Sequence, residues 1–225
     1  MPTNTVCDHR RMETRARRRD LGSEVVALLL AATCAGCDER GTLLCDRCRT
    51  ALAAAPVTLR TPGGLRVRAA LSFDAVAARC IRRLKGSGET LLAHPLGSAL
   101  AEVLQPELRG GARAVPVPTS RASFRQRGYR VPDVLIRRAG AAPWCVLRAV
   151  GRRSDQRGLG ARERRDNVRG AVRARRGGEG ESVVLVDDVV TTGATLDEAA
   201  RALREAGFSV TCAVVLAATP RRDRR

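Results

Sequence analysis

Aromatic side chains are scarce in this sequence of 225 residues: phenylalanine, tyrosine and tryptophan together make up 2% of the chain. A core must therefore consist mainly of valine, leucine, isoleucine and alanine, and the 44% of hydrophobic residues is enough to build one. The scarcity also argues against a protein that recognises single-stranded nucleic acid mainly by stacking bases on aromatic rings.

Lysine is almost absent as well, because Lys85 is the only lysine among 41 basic residues. The net charge is +18, and arginine greatly outnumbers acidic residues between positions 121 and 176. Such a charge distribution attracts phosphate-rich small molecules and nucleic acids alike. For a single arginine, a solvated surface position explains the charge equally well. Lys85, beside a glycine-rich turn, indicates a site that needs a compact ammonium, although chance retention of one lysine is an equal alternative.

Long apolar runs are missing too, since no stretch reaches the 18 or so residues of a membrane-spanning helix. Residues 17–32 resemble a short signal peptide, with three arginines before an apolar run. The run is short, however, and the cysteine that follows it belongs to a larger group. We therefore expect a cytoplasmic protein without a membrane span, with a disordered basic tail over residues 1–20.

Four of the eight cysteines form two C-x-x-C pairs, Cys34 with Cys37 and Cys45 with Cys48. This spacing predicts a closed tetrahedral zinc site with a structural role, because four thiolates leave no open coordination position. A segment this small also has little apolar core to hold it without a metal. Two disulfides, or free cysteines in a core, are the alternatives.

The remainder of the chain alternates between predicted strands and helices. We predict strands at 67–73, 113–117, 182–186 and 208–216, with a less regular one at 146–150, and helices at 74–84, 91–104, 131–139 and about 196–206. This alternation predicts an α/β fold with a parallel sheet. Residues 121–130 and 151–167 are interpreted as loops. The T-P-G-G sequence at 61–64 is interpreted as a turn or linker that separates a helix-plus-zinc module, residues 21–60, from the α/β domain, residues 61–225.

The strongest functional pattern is V-V-L-V-D-D-V-V-T-T-G-A-T at residues 183–195. A buried strand delivers two carboxylates, Asp187 and Asp188, and a Thr/Gly turn then leads into a helix. Backbone N–H groups of residues 191–195 can bind an anion, and Gly193 lets the backbone approach a phosphate closely. The carboxylates repel phosphate but accept hydrogen bonds from sugar hydroxyls. The pattern therefore fits ribose 5-phosphate, the alternative being a plain strand–turn–helix with a capping threonine.

This segment resembles the phosphoribosyl-diphosphate (PRPP) binding signature of type I phosphoribosyltransferases. Residues 29–216 resemble more narrowly the ComF family, which is linked to DNA uptake in competent bacteria. Further matches, in the family's order, are the cysteine quartet, I-R-R-L-K-G at 81–86, V-P-V-P at 115–118, R-Q-R-G-Y at 125–129 and R-R-D-N-V-R-G at 164–170. The resemblance implies a type I phosphoribosyltransferase-like parallel sheet with an N-terminal zinc module.

The resemblance also implies site residues and ligands. PRPP or ribose 5-phosphate would be the ligand, with Mg²⁺ held largely by PRPP oxygens, and Asp187 and Asp188 would be the catalytic, ribose-binding carboxylates. Arginines of the loop after the 113–117 strand would meet pyrophosphate. The remaining predicted ligand-binding residues are Val189, Val190, Thr191, Thr192, Gly193, Ala194, Thr195, Lys85, Arg121, Arg125 and Arg127.

Two function classes follow from these patterns. The first is an enzyme that transfers a phosphoribosyl group from PRPP to an acceptor that the sequence does not identify. The second is a non-catalytic accessory protein that keeps the ribose-phosphate site and binds single-stranded DNA or the DNA-uptake machinery. Arg130 and Val131 stand where the family usually has Asn-Gln, and this departure affects turnover more than PRPP binding.

Overall fold

The computed structural model describes residues 33–86, 89–150 and 170–219. The predicted tail, the helix before the cysteines, the turn at 87–88 and the arginine-rich loop at 151–167 lie outside this part of the chain. The chain divides into two compact units, Met1–Thr50 and Ala51–Arg225. Among the described residues, no helix is long and apolar enough to cross a membrane.

The described part of the first unit is a compact turn structure followed by a short helix. An isolated bridge joins Thr33 to Arg40, and helix α1 spans Asp46–Ala51. Apart from the cysteines and Gly36, only Ala35 and Leu44 are buried within residues 33–50. So few buried apolar groups cannot hold a fold by the hydrophobic effect alone.

The second unit contains a five-stranded sheet in the order β1-β2-β7-β6-β3. Its strands are β1 (Val57–Arg60), β2 (Arg66–Ser72), β3 (Arg113–Pro116), β6 (Ser182–Val190) and β7 (Ser209–Ala218). Strands β2, β7, β6 and β3 run parallel, and only β1 pairs antiparallel with its neighbour. The predicted α/β fold with a mainly parallel sheet is therefore confirmed. Strands β4 (Leu147–Ala149) and β5 (Val172–Ala174) form a separate antiparallel pair.

Helices connect the strands as the alternating pattern predicts. They are α2 (Ala75–Gly86), α3 (Ala93–Leu108) after a 3₁₀ turn at Thr90–Leu92, α4 (Arg121–Arg127), α5 (Val131–Arg138) and α6 (Ala194–Glu205). Helix α6 buries Leu196, Ala199, Ala200 and Leu203, the positions of its predicted apolar face. Gly207 follows it in the left-handed conformation, with a φ of 91°, and so ends the helix.

The core of the second unit is aliphatic, as the composition requires. Residues 183–186 of β6 and 212–217 of β7 are completely buried, because helices or other strands cover these central strands on both faces. Trp144 and Phe208 form the one aromatic pair among the described residues, edge to face, with ring centres 5.5 Å apart. Because both faces of β6 are buried, its position in the sheet is fixed. The carboxyl end of the strand, which carries Asp187 and Asp188, is therefore held at one edge of the sheet.

The structure corrects two predictions near the site. Strand β6 continues through Val190, so Asp187 and Asp188 lie within the strand and not after it, because pairing with β7 extends to Val190 and Ala218. Residues 121–127 form helix α4 where we predicted a loop. The Oγ of Ser120 accepts a hydrogen bond from the Ser123 N–H at 3.2 Å, which caps this helix.

The structure also differs at residues 57–64. Residues 57–60, which the sequence analysis assigned to the zinc module, form edge strand β1 of the sheet, and residues 61–64 connect β1 to β2 as a hairpin turn. The prediction missed β1 because three of its four residues are exposed and show no apolar alternation. It also missed β5, which is only three residues long.

Candidate functional site

The carboxyl end of β6 forms the centre of the candidate site. Pairing of β6 with β3 stops at Val186, which faces Pro116, whereas pairing with β7 continues to Val190. Asp187 and Asp188 therefore lie where β6 extends past the paired part of β3. The carboxyl edge of a parallel sheet, where strands end at different heights, is the usual ligand site of open α/β folds.

The two carboxylates have different surroundings. The side chain of Asp187 accepts a hydrogen bond from the Asp188 N–H at 2.8 Å. The Asp188 Oδ1 lies 2.8 Å from the Nζ of Lys85, an ion pair in which the lysine side chain is 32% exposed and the aspartate 16%. The single lysine of the chain is thus the partner of one of the two predicted ribose-binding carboxylates.

The position of Lys85 is set by residues from a different segment. Lys85 lies in the last turn of α2, where backbone carbonyls have no partner within the helix. The Tyr129 hydroxyl donates a hydrogen bond to the Leu84 carbonyl, and the Arg127 Nη1 lies 3.5 Å from the Lys85 carbonyl. Gly128, with a φ of 76°, ends α4 between these two side chains. The R-G-Y sequence therefore caps the end of α2 and holds Lys85 near Asp188.

The Thr/Gly turn after β6 begins helix α6 in the way the sequence predicts. Gly193 has a φ of 81° and is the residue that precedes the helix. Its carbonyl accepts the Asp197 N–H at 2.9 Å, and the Thr192 Oγ1 lies 3.4 Å from the Ala194 N–H. The backbone of residues 191–195 thus lies at the amino end of a twelve-residue helix, where the helix dipole favours an anion.

The turn at residues 61–64 packs against this loop. Thr61 donates a hydrogen bond from its Oγ1 to Asp197, and the Gly63 N–H donates to the Asp197 Oδ2 at 2.9 Å. A Cβ placed on Gly193 would lie 2.8 Å from the Thr61 Cγ2. Glycine at 193 is therefore needed for packing against Thr61 as well as for its backbone conformation, a reason that the sequence did not reveal.

The predicted arginines are not all gathered at the site. Arg127 is partly buried beside α2, whereas Arg125 is exposed on α4, and within the described residues no contact links it to Asp188 or the loop. Arg121 is the first residue of α4. Arg130, the departure from the family pattern, precedes α5, lies 3.7 Å from Asp133, and has its guanidinium 5.1 Å from the Phe124 ring centre. Arg130 therefore contacts neighbouring residues of the fold, Asp133 and Phe124.

Sequence reasoning missed three residues that support the site: Tyr129, Thr61 and Asp197. Tyr129 carried a usable signal, since it is the only tyrosine in an aromatic-poor chain and lies in a motif that matches the family. Thr61 and Asp197 carried none, because they are 136 residues apart. Val189 and Val190 belong to β6, where Val189 is half-buried and Val190 is buried.

The four paired cysteines form a second candidate site in the first unit. Their sulfur atoms all lie within 4.8 Å of one another, and the Cys37 and Cys45 sulfurs are 3.6 Å apart. Two thiolates bound to a tetrahedral zinc at about 2.3 Å lie about 3.8 Å apart, whereas a disulfide requires about 2.05 Å. All four are free thiols, so the disulfide alternative is wrong. The donor set fits a metal such as zinc.

Local hydrogen bonds favour the thiolate form that a metal requires at one of the four cysteines, Cys34. Burial raises the pKa of Cys34, but N–H groups of Cys45, Gly36 and Cys37 outweigh it and bring the pKa down to about 7. The Cys45 N–H, for example, lies 3.3 Å from the Cys34 sulfur. Burial raises the pKa of Cys48, which is the thiol that most needs a metal cation to lose its proton.

The chain is similar in sequence to known proteins. The family profile described as "Phosphoribosyl transferase domain" matches residues 125–225. Competence protein F of Haemophilus influenzae is 33% identical over 103 residues, which cover 41% of this chain and 44% of that protein. The chain is thus similar in part to competence protein F and to the phosphoribosyltransferase domain. The match spans less than half the length of this curated relative.

Solved structures of phosphoribosyltransferases are also similar to the chain. Adenine phosphoribosyltransferase from Rhodothermus marinus is 19% identical, with 76% of this chain and 86% of that chain covered and a TM-score of 0.38. Orotate phosphoribosyltransferase from Aeropyrum pernix is 19% identical, with coverages of 76% and 78% and a TM-score of 0.33.

Proposed function

We propose that this ComF-like protein binds PRPP at the carboxyl end of β6 and transfers its phosphoribosyl group to an acceptor. One observation carries the proposal: Asp187 and Asp188 lie near the carboxyl end of central strand β6, which leads, through left-handed Gly193, into the amino end of α6. The carboxylates would accept hydrogen bonds from the two ribose hydroxyls. The backbone N–H groups of residues 191–195 would bind the 5-phosphate.

The ion pair of Lys85 with Asp188 supports this assignment on electrostatic grounds. Two adjacent carboxylates repel a ligand that carries several phosphate charges, and the ammonium 2.8 Å from Asp188 compensates one of them. A ribose hydroxyl that hydrogen-bonds Asp188 would share that carboxylate with Lys85. Lys85 would then lie near the ligand's phosphates, which agrees with its predicted role in binding.

In the transfer step the bond between the ribose C1 and the pyrophosphate oxygen breaks, and the acceptor forms a new bond to C1. Positive charge develops on the ribose ring, and the carboxylates of Asp187 and Asp188 would stabilise it electrostatically. Arg121, Arg125 and Arg127, in helix α4, would contact the departing pyrophosphate. Mg²⁺ would be bound largely by PRPP oxygens and would neutralise part of their charge.

For the cysteine cluster we propose one structural zinc ion bound by Cys34, Cys37, Cys45 and Cys48. The sulfur spacing and the lack of buried apolar residues in this unit support zinc, and four thiolates leave no position for a substrate. We also propose that the protein acts in the cytoplasm, since free thiols persist in reducing compartments.

The name of the Haemophilus relative supports a role in DNA uptake. A second candidate function is therefore PRPP binding without transfer, in a protein that contacts single-stranded DNA during uptake. The net charge of +18 favours this candidate, because it attracts any polyanion. It predicts DNA affinity that falls steeply with salt and no release of pyrophosphate, whereas the enzyme predicts pyrophosphate release once the acceptor is supplied.

Calorimetric titration with PRPP, with and without Mg²⁺, tests the binding proposal. Ribose 5-phosphate should compete with PRPP, and inorganic phosphate should compete only weakly. Changing Asp187 and Asp188 together to Asn should weaken PRPP binding by about 1–3 kcal/mol, the scale of a lost charged hydrogen bond. The matched control is Glu102→Gln, an exposed carboxylate on α3, which should bind as the parent does.

Two results would contradict the proposed site. The first is a parent protein that does not bind PRPP in the presence of Mg²⁺. The second is a double Asp→Asn variant whose affinity equals that of the parent. If binding holds, a screen of nucleobases and amines for pyrophosphate release then separates transfer from binding alone.

A further inference from the structure

The four cysteines of the proposed zinc site differ in their exposure to solvent. Cys34 and Cys48 are 0% and 1% exposed, and Cys45 is 9% exposed. Cys37 is half-buried and is the most exposed of the four. A dissolved reagent therefore reaches the cluster most easily at Cys37, and next at Cys45.

Two charged side chains lie beside Cys37. Arg47, exposed on helix α1, donates a hydrogen bond to the Cys37 side chain, and this contact raises the pKa of the arginine. The Glu39 Oε2 lies 3.9 Å from the same sulfur. A guanidinium stabilises negative charge on a sulfur that leaves a metal, and the thiolate is the nucleophilic form of cysteine. Arg47 thus gives Cys37 a cationic partner that offsets the charge of Glu39.

Cys45 lies in position to form a bond with Cys37. Their sulfur atoms are 3.6 Å apart, and a disulfide requires about 2.05 Å, so a shift of about 1.5 Å joins them. Residues 38–41, which lie between the two cysteines, are all exposed. Little packing therefore opposes a shift of this size in the connecting segment.

We propose that Cys37 is an oxidation site, at which a peroxide converts Cys37 and Cys45 to a disulfide and releases the zinc. The inference rests on the proposed structural zinc and is independent of the proposed phosphoribosyl transfer. Because residues 33–50 bury so few apolar groups, loss of the metal would also loosen this segment. The cysteine segment would then respond to oxidants as well as hold its structure.

The oxidation takes two steps. The Cys37 thiolate attacks one oxygen of hydrogen peroxide, the O–O bond breaks, and a sulfenic acid and a hydroxide ion form. The Cys45 thiolate then attacks the sulfenic sulfur, the S–O bond breaks, and the disulfide and a second hydroxide form. Both hydroxides take a proton from solvent to become water, and two electrons pass from the two sulfurs to the peroxide. Zinc keeps two of its four ligands and dissociates.

Exposure by itself does not select the oxidised cysteine. Cys145 is exposed as well, but burial of its thiol and the neighbouring Asp133 carboxylate raise its pKa. Cys145 therefore stays a protonated thiol at pH 7 and reacts slowly with peroxide. The order of oxidation, Cys37 before Cys145, separates the proposal from unselective oxidation of accessible cysteines.

The experiment treats the full-length protein, after its zinc content has been measured, with limiting hydrogen peroxide at pH 7. A chromogenic chelator follows the released zinc, and peptide mapping identifies the oxidised cysteines. Zinc release should accompany a Cys37–Cys45 disulfide, and dithiothreitol with added zinc should reverse both changes. Arg47→Gln should release zinc about three- to fivefold more slowly than the parent. Arg49→Gln makes the same charge change at an exposed position of the same helix and should stay within about 1.5-fold of the parent.

The outcomes distinguish this inference from the zinc proposal on which it rests. An untreated protein that contains no zinc contradicts both. When zinc is present, three results overturn the oxidation site alone: zinc that stays bound until Cys145 is oxidised, a first disulfide other than the Cys37–Cys45 pair, and equal rates of zinc release in the two arginine variants.

Discussion

The cysteine segment and the α/β unit hold their structures by different means. Within residues 33–50 three cysteines are buried and Cys37 is half-buried, and the other buried residues are Ala35, Gly36 and Leu44. In the α/β unit, two central strands and the helices beside them bury a continuous aliphatic core. The first arrangement favours metal coordination as the source of stability, and the second favours apolar burial.

The two regions also assemble their sites differently. The four sulfur atoms come from fifteen consecutive residues, positions 34–48, in two short pairs. The α/β site instead brings together Lys85, Asp188, Thr61 and Asp197, and its longest hydrogen-bonded connection spans 136 residues. Damage to one region should therefore leave the other intact, and each prediction below tests this difference or the contacts behind it.

The largest effect should come from Cys37→Ser. Structural zinc contributes about 10–16 kcal/mol in small zinc-finger peptides, far more than the apolar residues of this segment can supply. Loss of one ligand should remove the zinc and expose residues 33–50 to protease, while thermal unfolding of the α/β unit stays unchanged. Metal analysis and limited proteolysis measure both results. Cys145→Ser, at an exposed free cysteine, is the control. If residues 33–50 stay resistant to protease without zinc, metal coordination is not what stabilises this segment.

Gly193→Ala should have the next largest effect, a loss of about 2–3 kcal/mol of folding stability together with weaker PRPP binding. Alanine is strained at a φ of 81°, and its Cβ would meet the Thr61 Cγ2 at 2.8 Å. Gly111→Ala is a matched control, since Gly111 has the same φ of 81° and nothing within 4 Å of the added Cβ. The difference between the two variants, measured by urea unfolding, isolates the contact with Thr61. Equal losses would show that packing at Gly193 does not matter.

Glu198→Gln tests a buried ion pair in the α/β unit and should cost about 1–3 kcal/mol at pH 7. Glu198 is 6% exposed and accepts hydrogen bonds from Arg201 at 2.7 and 2.8 Å and from the Gly170 N–H at 2.7 Å. Burial raises the pKa of this carboxyl, but these donors outweigh it and hold the pKa below the ordinary value.

The pH dependence of this variant has a definite sign. A depressed pKa stabilises the fold above the ordinary glutamate pKa of about 4.3, and that contribution disappears as the pH falls through the lower folded-state pKa. Urea unfolding should therefore show a gap between parent and variant at pH 7 that narrows below about pH 4. Glu205→Gln, at a mostly exposed partner of Arg201, should cost less than about 1 kcal/mol. A gap that is constant with pH would contradict the role of the carboxylate charge.

The smallest effect should come from Tyr129→Phe, which removes only the hydroxyl that donates to the Leu84 carbonyl. We expect PRPP affinity to fall by about 1 kcal/mol, the scale of one neutral hydrogen bond, because the end of α2 and Lys85 lose their fixed position. If Tyr129 acts through Lys85, the same change in a Lys85→Met background should have no further effect. Additive losses in a calorimetric double-mutant cycle would contradict this positioning role.

Much of the architecture could be predicted from the sequence because its determinants are local. The apolar spacing of α6, the buried run of β6 and the glycine after α6 each depend on a few neighbouring residues, and the structure confirms them. Strand β1 and helix α4 escaped prediction. Strand β1 is short and exposed, and it exists because β2 offers it a hydrogen-bonding edge.

The sequence by itself determined which groups are the candidates for chemistry in this protein: the two cysteine pairs, the adjacent carboxylates and the Thr/Gly turn that begins a helix. Each is a short pattern whose meaning depends on backbone geometry over a few residues. Only the tertiary structure decided that Lys85 pairs with Asp188, that Tyr129 caps α2, and that Thr61 packs against Gly193. Those contacts depend on strand order and on helices crossing the sheet, and no local pattern specifies which distant residues the topology brings within 3 Å of each other.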